Sequence, residues 1–305
     1  MADIDRWPLG KPGSRERRDH VRKYFRKAPP RADEIYARRL IRLGAGIFVA
    51  ALATLTAGLP ALLAGTIALI AIVTAIQGWR LLADYKRKYA SAEPKCADSD
   101  MDQTLRSDLQ DLAARAMLRL GITIDELELH SEDVGALRQG KTRIGEQGRG
   151  PLIVFGPASR SRGRAGRDRV WRFTSYRVMA ICPTFHHLAI YECVLQFDTG
   201  KRKREETHEY HYADVVAVST RNLEADDSLD LVFDSEIFGK IPLRPMKREF
   251  EVIVSSGDRS NITVDIFDDE RPEVKLLLQE FGIDRLIRAV RRTLREKKGG
   301  VAPLF

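Results

Sequence analysis

Residues 43–79 read LGAGIFVAALATLTAGLPALLAGTIALIAIVTAIQGW and contain no Asp, Glu, Lys or Arg. As one helix they would be about 55 Å long at 1.5 Å per residue. A bilayer core of about 30 Å is crossed by roughly 20 residues. One span is therefore too long, and two just fit. Gly58-Leu59-Pro60 supplies the break, because Pro60 has no amide hydrogen and suits the first turn of a second helix. The expectation is a transmembrane hairpin over residues 40–80, with spans at 40–58 and 60–79. Gly44, Ala45, Ala50, Ala53, Ala57, Ala61, Ala64 and Gly65 are small enough for close helix contact, which permits self-association within the bilayer. Trp79 is placed as an interfacial anchor. The alternative, a buried hairpin in a soluble protein, would need a thick protein shell around it. The stretch begins too late and runs too long for a cleaved signal peptide.

Charge is distributed around this stretch. The 305 residues carry a net +8, with 51 Lys+Arg against 43 Asp+Glu. The first 90 residues hold +10 and the rest −2. Arg38, Arg39 and Arg42 precede the apolar stretch, and Arg80, Lys86, Arg87 and Lys88 follow it, while the turn is uncharged. The positive-inside rule then puts both termini of a multi-pass protein in the cytoplasm. Cys96, Cys182 and Cys193 would face a reducing compartment as free thiols. The basic excess reads as an orientation signal, and nucleic acid is not an expected partner.

Outward from the hairpin, residues 1–39 form a basic cytosolic arm. Within it, residues 15–27 read either as a helix lying on anionic lipid or as a solvated disordered arm. Residues 81–150 form a juxtamembrane helix and linker region. Leu105, Leu109, Leu112, Ala116 and Leu120 give one helical apolar face over residues 101–120, and Gly121 is a C-cap candidate. Residues 151–305 turn to β pattern. About seven strands in antiparallel series are expected, at 152–155, 170–182, 187–197, 205–220, 229–233, 250–255 and 262–267. The chain then ends in helix, from Pro272 with the stripe Val274, Leu277, Leu278 and Phe281, and again from Asp284 to Lys297. The fold class is α+β: a membrane hairpin plus an antiparallel β domain with a C-terminal helix.

Trp171-Arg172-Phe173-Thr174-Ser175-Tyr176-Arg177-Val178 resembles the YxLTxxR strand of bacterial pleckstrin-homology-like (PH-like) domains. Glu209-Tyr210-His211-Tyr212-Ala213-Asp214-Val215-Val216-Ala217-Val218 resembles their IxYxDIxxV strand. Residues 252–257 followed by Ile262-Thr263-Val264 are similar to their glycine-turn hairpin. The likeness covers residues 150–281, and it is to bacterial two-span membrane proteins carrying a PH-like cytosolic domain, which implies a place in a bacterial inner membrane. It implies a β sandwich capped by a helix and used for protein or lipid contact, not catalysis. The sequence departs from the pattern in its Arg-rich segment before the TxxR strand and in its long 220–248 region.

Arg160, Arg162, Arg164, Arg167 and Arg169 crowd residues 158–169. Guanidinium forks match phosphate geometry, so these five are the candidate contact for anionic lipid head groups; the alternative is a mobile solvated loop. Lys201-Arg202-Lys203-Arg204 reads as a solvated hairpin loop. His208 and His211 fall on opposite faces of a strand and would not chelate one metal ion. No P-loop, dinucleotide or nucleophile motif is present, so no cofactor and no enzyme activity are expected. The function expected is a membrane-anchored interaction or scaffold module with a protein partner. The other reading is a stress or defence effector whose hairpins assemble when the cytosolic domain receives a signal.

Overall fold

The computed structural model describes residues 15–56, 60–128, 150–224, 232–233, 245–268, 277–278 and 283–298. The chain divides into two units, Arg22–Cys96 and Met1–Val21 together with Ala97–Phe305.

The first unit is a pair of helices, α2 (Arg31–Thr56) and α3 (Ala61–Ala92), which lie antiparallel. Helix α1 (Arg15–Phe25) precedes them. The α2–α3 seam is made of small residues. A methyl group on Gly44 would sit 2.8 Å from the Ala71 carbonyl oxygen and 2.9 Å from the Ala75 nitrogen. One on Gly78 would sit 2.7 Å from Ile41 Cγ1. Ala37, Gly44 and Ala51 are buried on α2, and Ala64, Ala71 and Gly78 on α3, at steps of seven. Of the small residues expected at the contact, Gly44 and Ala64 lie on this seam, while Ala45, Ala50, Ala53 and Gly65 are exposed; the side chains of Ala57 and Ala61 lie outside what is described. Away from the seam the helices present bare Phe48, Val49, Leu52, Leu69, Ile70 and Val73.

Among the described residues one helix, over Ala64–Ala92, is long and apolar enough to cross a membrane. Two such spans were expected. Among the described residues the uncharged part of α2 covers Leu43 to Thr56, about 20 Å of helix against a core of about 30 Å. Residues 57–59, where the turn was expected, lie outside the described residues. Both helices also continue as helix well past the apolar stretch, α2 from Arg31 and α3 to Ala92. Tyr85 of α3 hydrogen-bonds Glu34 of α2 in this charged portion.

The second unit begins with helix α4 (Asp98–Leu120), ended by Gly121 in the left-handed conformation at φ 65°, a usual C-cap. Its expected apolar face is buried, and it packs on strands β4 (Ser175–Pro183) and β5 (His187–Gln196). These strands belong to a four-stranded sheet in the order β1 (Leu152–Pro157), β4, β5, β6 (Lys201–His211). A three-stranded sheet runs β10 (Arg259–Asp268), β9 (Pro245–Val254), β7 (Val215–Glu224). Both sheets are antiparallel. The main core holds Met179, Ile181, Ile190, Phe250, Val252 and Ile262 between the sheets. Ile287, Val290 and Leu294 of helix α5 (Ile283–Lys297) join the same core. Helix α4 covers the opposite face of the four-stranded sheet, so β4 and β5 are buried on both sides and lose the in–out alternation of a half-exposed strand.

A small third sheet takes the order β11 (Leu277–Leu278), β3 (Val170–Phe173), β2 (Arg162–Ala165), β8 (Val232–Phe233). The described strands therefore number eleven, not seven, and do not run as a simple series. The expected strand over 170–182 breaks at Thr174. Its N–H donates to the Arg162 carbonyl and its own carbonyl accepts from Phe197, so the two halves enter different sheets. The expected strand over 205–220 breaks at Tyr212–Asp214. There the Tyr212 hydroxyl donates to the Thr184 carbonyl at 2.6 Å and the Asp214 N–H to the His211 carbonyl at 2.9 Å. Residues 201–204, expected in a loop, are the start of β6. Leu277 and Leu278, expected on a helix, pair with β3 instead; Val274 and Phe281 lie outside the described residues.

Candidate functional site

The arginine-rich segment forms a turn, a strand and a second turn. Arg160 and Arg169 occupy the turns in left-handed conformations, at φ 58° and 63°. Gly163 faces inward on β2, where an added methyl would lie 2.9 Å from the Phe173 ring. Strand alternation then puts Arg162 and Arg164 on the opposite face. Arg160, Arg162, Arg167 and Arg169 are exposed and Arg164 is half-buried. The segment is anchored, since the Arg167 backbone N–H donates to Asp98 Oδ2 at 2.8 Å. The backbone of the segment is thus held at Arg167, and the five arginines are carried on a turn, a strand and a second turn.

Beside this segment lies a buried arginine, Arg172. It pairs with Arg164 across β2 and β3, and its side chain is fully buried. Nε and Nη2 donate to the two oxygens of Asp102 at 2.8 and 2.9 Å. Nη2 and Nη1 donate to the two oxygens of Asp168 at 2.7 and 3.0 Å. Asp98 completes the group at 3.7 Å. The bond from Arg172 holds the Asp168 carboxyl below the usual carboxylate range. Gly166 is needed beside this group, because a methyl there would meet Arg172 Nη1 at 2.4 Å.

A second buried arginine fastens the N-terminal segment. Arg18 donates from Nη1 and Nη2 to both oxygens of Asp108 on α4, each at 2.7 Å, and from Nη1 to the Phe197 carbonyl at 3.0 Å. Gly200 leaves room for it, since a methyl there would lie 2.4 Å from Arg18 Nη2. Residues 15–25 are therefore neither a solvated arm nor a helix free to lay this side on lipid. Asp111 lies in the same cluster; burial, followed by the nearby Asp108, pushes its carboxyl up.

Comparison of the chain with family models, with curated proteins and with solved structures finds no match.

Other expected positions are placed as follows. His208 and His211 lie on β6. His208 stacks on Tyr210, and no group of three or more potential metal ligands occurs among the described residues. The three cysteines are free thiols, and burial raises Cys182 to about 12 and Cys193 to about 11. Glu205 accepts from Arg115 at 2.9 and 3.1 Å and from the Tyr191 hydroxyl at 3.0 Å, fastening α4 to β6. The bond from Arg115 holds that carboxyl low. Sequence reasoning missed Arg172, Arg18 and their carboxylates. The one signal was Asp98 and Asp102 at the four-residue spacing that puts two carboxylates on one helix face.

Proposed function

We propose that the chain is a membrane-anchored, non-enzymatic interaction module. In this reading a two-span hairpin holds a PH-like β domain at the cytoplasmic face of the membrane for contact with a protein or with anionic lipid. The observation that carries it is the Arg18–Asp108 pair. Residues 18 and 108 flank the hairpin in sequence and touch in space. The chain between them leaves and returns on the same side of any bilayer, so it crosses an even number of times. With α3 able to span, two crossings is the smallest number consistent with the pair. The seam of small residues between α2 and α3 supports the same arrangement. The β domain has four antiparallel strands in one sheet and three in the other, with a terminal helix closing the core, which supports the PH-like likeness. The exposed arginines 160, 162, 167 and 169, with Arg164 beside them, supply a patch suited to phosphate-bearing head groups. Anchoring raises the effective concentration of such a module for partners in the same membrane.

Reporter fusions to the full chain at residue 1, at residue 305 and within 57–59 test the topology. Both termini are expected in the cytoplasm and the turn on the far side. Termini on opposite sides would sink the proposal. Lipid contact has its own test, titration of the detergent-solubilised full chain with a water-soluble short-chain anionic phospholipid. Reversing charge at Arg160, Arg162 and Arg164 is expected to weaken binding by at least about tenfold. Unchanged binding would leave protein contact as the module's role.

A further inference from the structure

A cavity of about 220 Å³ opens between the two sheets, lined from β4, β5 and β6 on one side and β9 and β10 on the other. Among the described residues its lining carries three cations, Arg177, Arg204 and Lys247, and three carboxylates, Glu192, Glu206 and Glu249. Glu192 is buried, 4% exposed, and accepts from Arg177 Nη2 at 2.8 Å. Arg177 Nη1 also donates to Asn261 at 3.0 Å. Lys247, 7% exposed, pairs with Glu249 at 2.9 Å. In these pairs Glu192 and Lys247 are buried while Arg177 keeps 41% of its side chain exposed; charges drawn even partly out of water are a poorer source of stability than apolar packing. Their presence beside an apolar core that the same strands build asks for another reason.

The backbone is irregular at the same place. Glu192 opposes Glu206 and Val194 opposes Lys203, so Arg204 and Glu205 together face Cys193 across a bulge. Arg204 sits there at φ 52°, a conformation uncommon for a residue with a side chain. A second register shift falls between Thr263 and Asp265, and Thr263 also lines the cavity. Bulges re-aim side chains and gather beside binding sites, and strained backbone persists where something is gained from it.

We propose that this cavity binds a small zwitterion, a free amino acid being the chemical class that fits. Arg204 would take the carboxylate and Glu206 the ammonium group, while the Arg177–Glu192 and Lys247–Glu249 pairs form the walls. The balance of charge selects this class. A bare anion would face three carboxylates, and a bare cation would face three fixed positive groups. Among the described residues the lining has no aromatic ring on which a sugar or a base could stack. The volume lies below the 300–1,000 Å³ usual for larger ligands. The site does not depend on the membrane reading.

Calorimetric titration of the full chain in detergent tests the proposal, using glycine, glutamate, lysine and arginine singly, with acetate, methylamine and inorganic phosphate as half-ligands. At least one amino acid should bind saturably and at least about tenfold more tightly than every half-ligand. Arg204→Glu and Glu206→Lys should each cost at least about tenfold in that affinity. Both residues are exposed, so the urea midpoint should not move, which separates loss of the site from loss of the fold. Absence of binding by all four amino acids at millimolar concentration overturns the proposal. So does tighter binding of phosphate, or affinity unaffected by both substitutions.

Discussion

Arg172→Leu should lower the unfolding free energy of the β domain by about 3–5 kcal/mol, the range for removing one partner from a buried ion pair. Leucine fills part of the space, but Asp98, Asp102 and Asp168 then face one another without the guanidinium that all three address. A typical domain has only about 5–15 kcal/mol in total, so a large fraction could be lost. Urea denaturation of the full chain in detergent, followed by fluorescence of the adjacent buried Trp171, measures it. Asp98→Asn, at the longest contact of the three, should cost much less. The pH dependence has a definite sign. The Asp168 carboxyl is depressed in the folded protein by its bond from Arg172. Its contribution is full above the ordinary carboxylate value of about 4 and is lost as pH falls through the lower folded value. The gap between wild type and Arg172→Leu should therefore narrow in acid. A variant with an unchanged midpoint, or a gap independent of pH, would show that the carboxylates are not held by Arg172.

Gly156→Ala should be still more disruptive. Strand β1 passes β10 so closely that an alanine methyl at 156 would lie 1.6 Å from the Thr263 carbonyl oxygen and 2.9 Å from its carbon. Both atoms are backbone, so no rotamer change relieves the clash. The strands must separate, and with them the two faces of the core holding Val154 and Ile262. Overpacking against side chains typically costs 1–3 kcal/mol; against backbone the expected cost is larger. The variant should be cleaved by protease under conditions where the wild-type β domain survives. Gly46→Ala is the matched control, because nothing lies within 4 Å of its added methyl and alanine favours helix. Equal protease resistance of the two variants would refute the close approach.

The contrast between Gly156 and Gly46 shows where the sequence can be read and where it cannot. Local signals carried far: the buried α4 face, its Gly121 cap and the antiparallel pattern after residue 150 follow from periodicity and turn chemistry. The division of 170–182 into β3 and β4 was not legible, because it depends on Thr174 bonding Arg162 and Phe197, neither of them a close neighbour in sequence. Arg18 and Arg172 looked like two basic residues among 51 Lys+Arg. What distinguishes them is burial beside carboxylates 90 and 70 residues away. The candidate arginines were visible as composition, but the turns and the short strand that carry them were not. The bulge that brings Arg204 and Glu206 to one cavity leaves no mark in sequence, since arginine is not the residue a left-handed position usually selects.

The seam between α2 and α3 repeats every seven residues, from Ala37 to Ala51 on one helix and from Ala64 to Gly78 on the other. A seven-residue repeat imposes a gentle left-handed winding. Contacts between glycine and alanine work through close approach and dispersion, which act alike in water and in hydrocarbon. The zipper therefore does not notice where lipid ends. Tyr85 and Ala92 extend the same spacing into the charged portion of α3. Under the membrane reading, the close contact between the two helices carries on past the apolar stretch with no change of spacing.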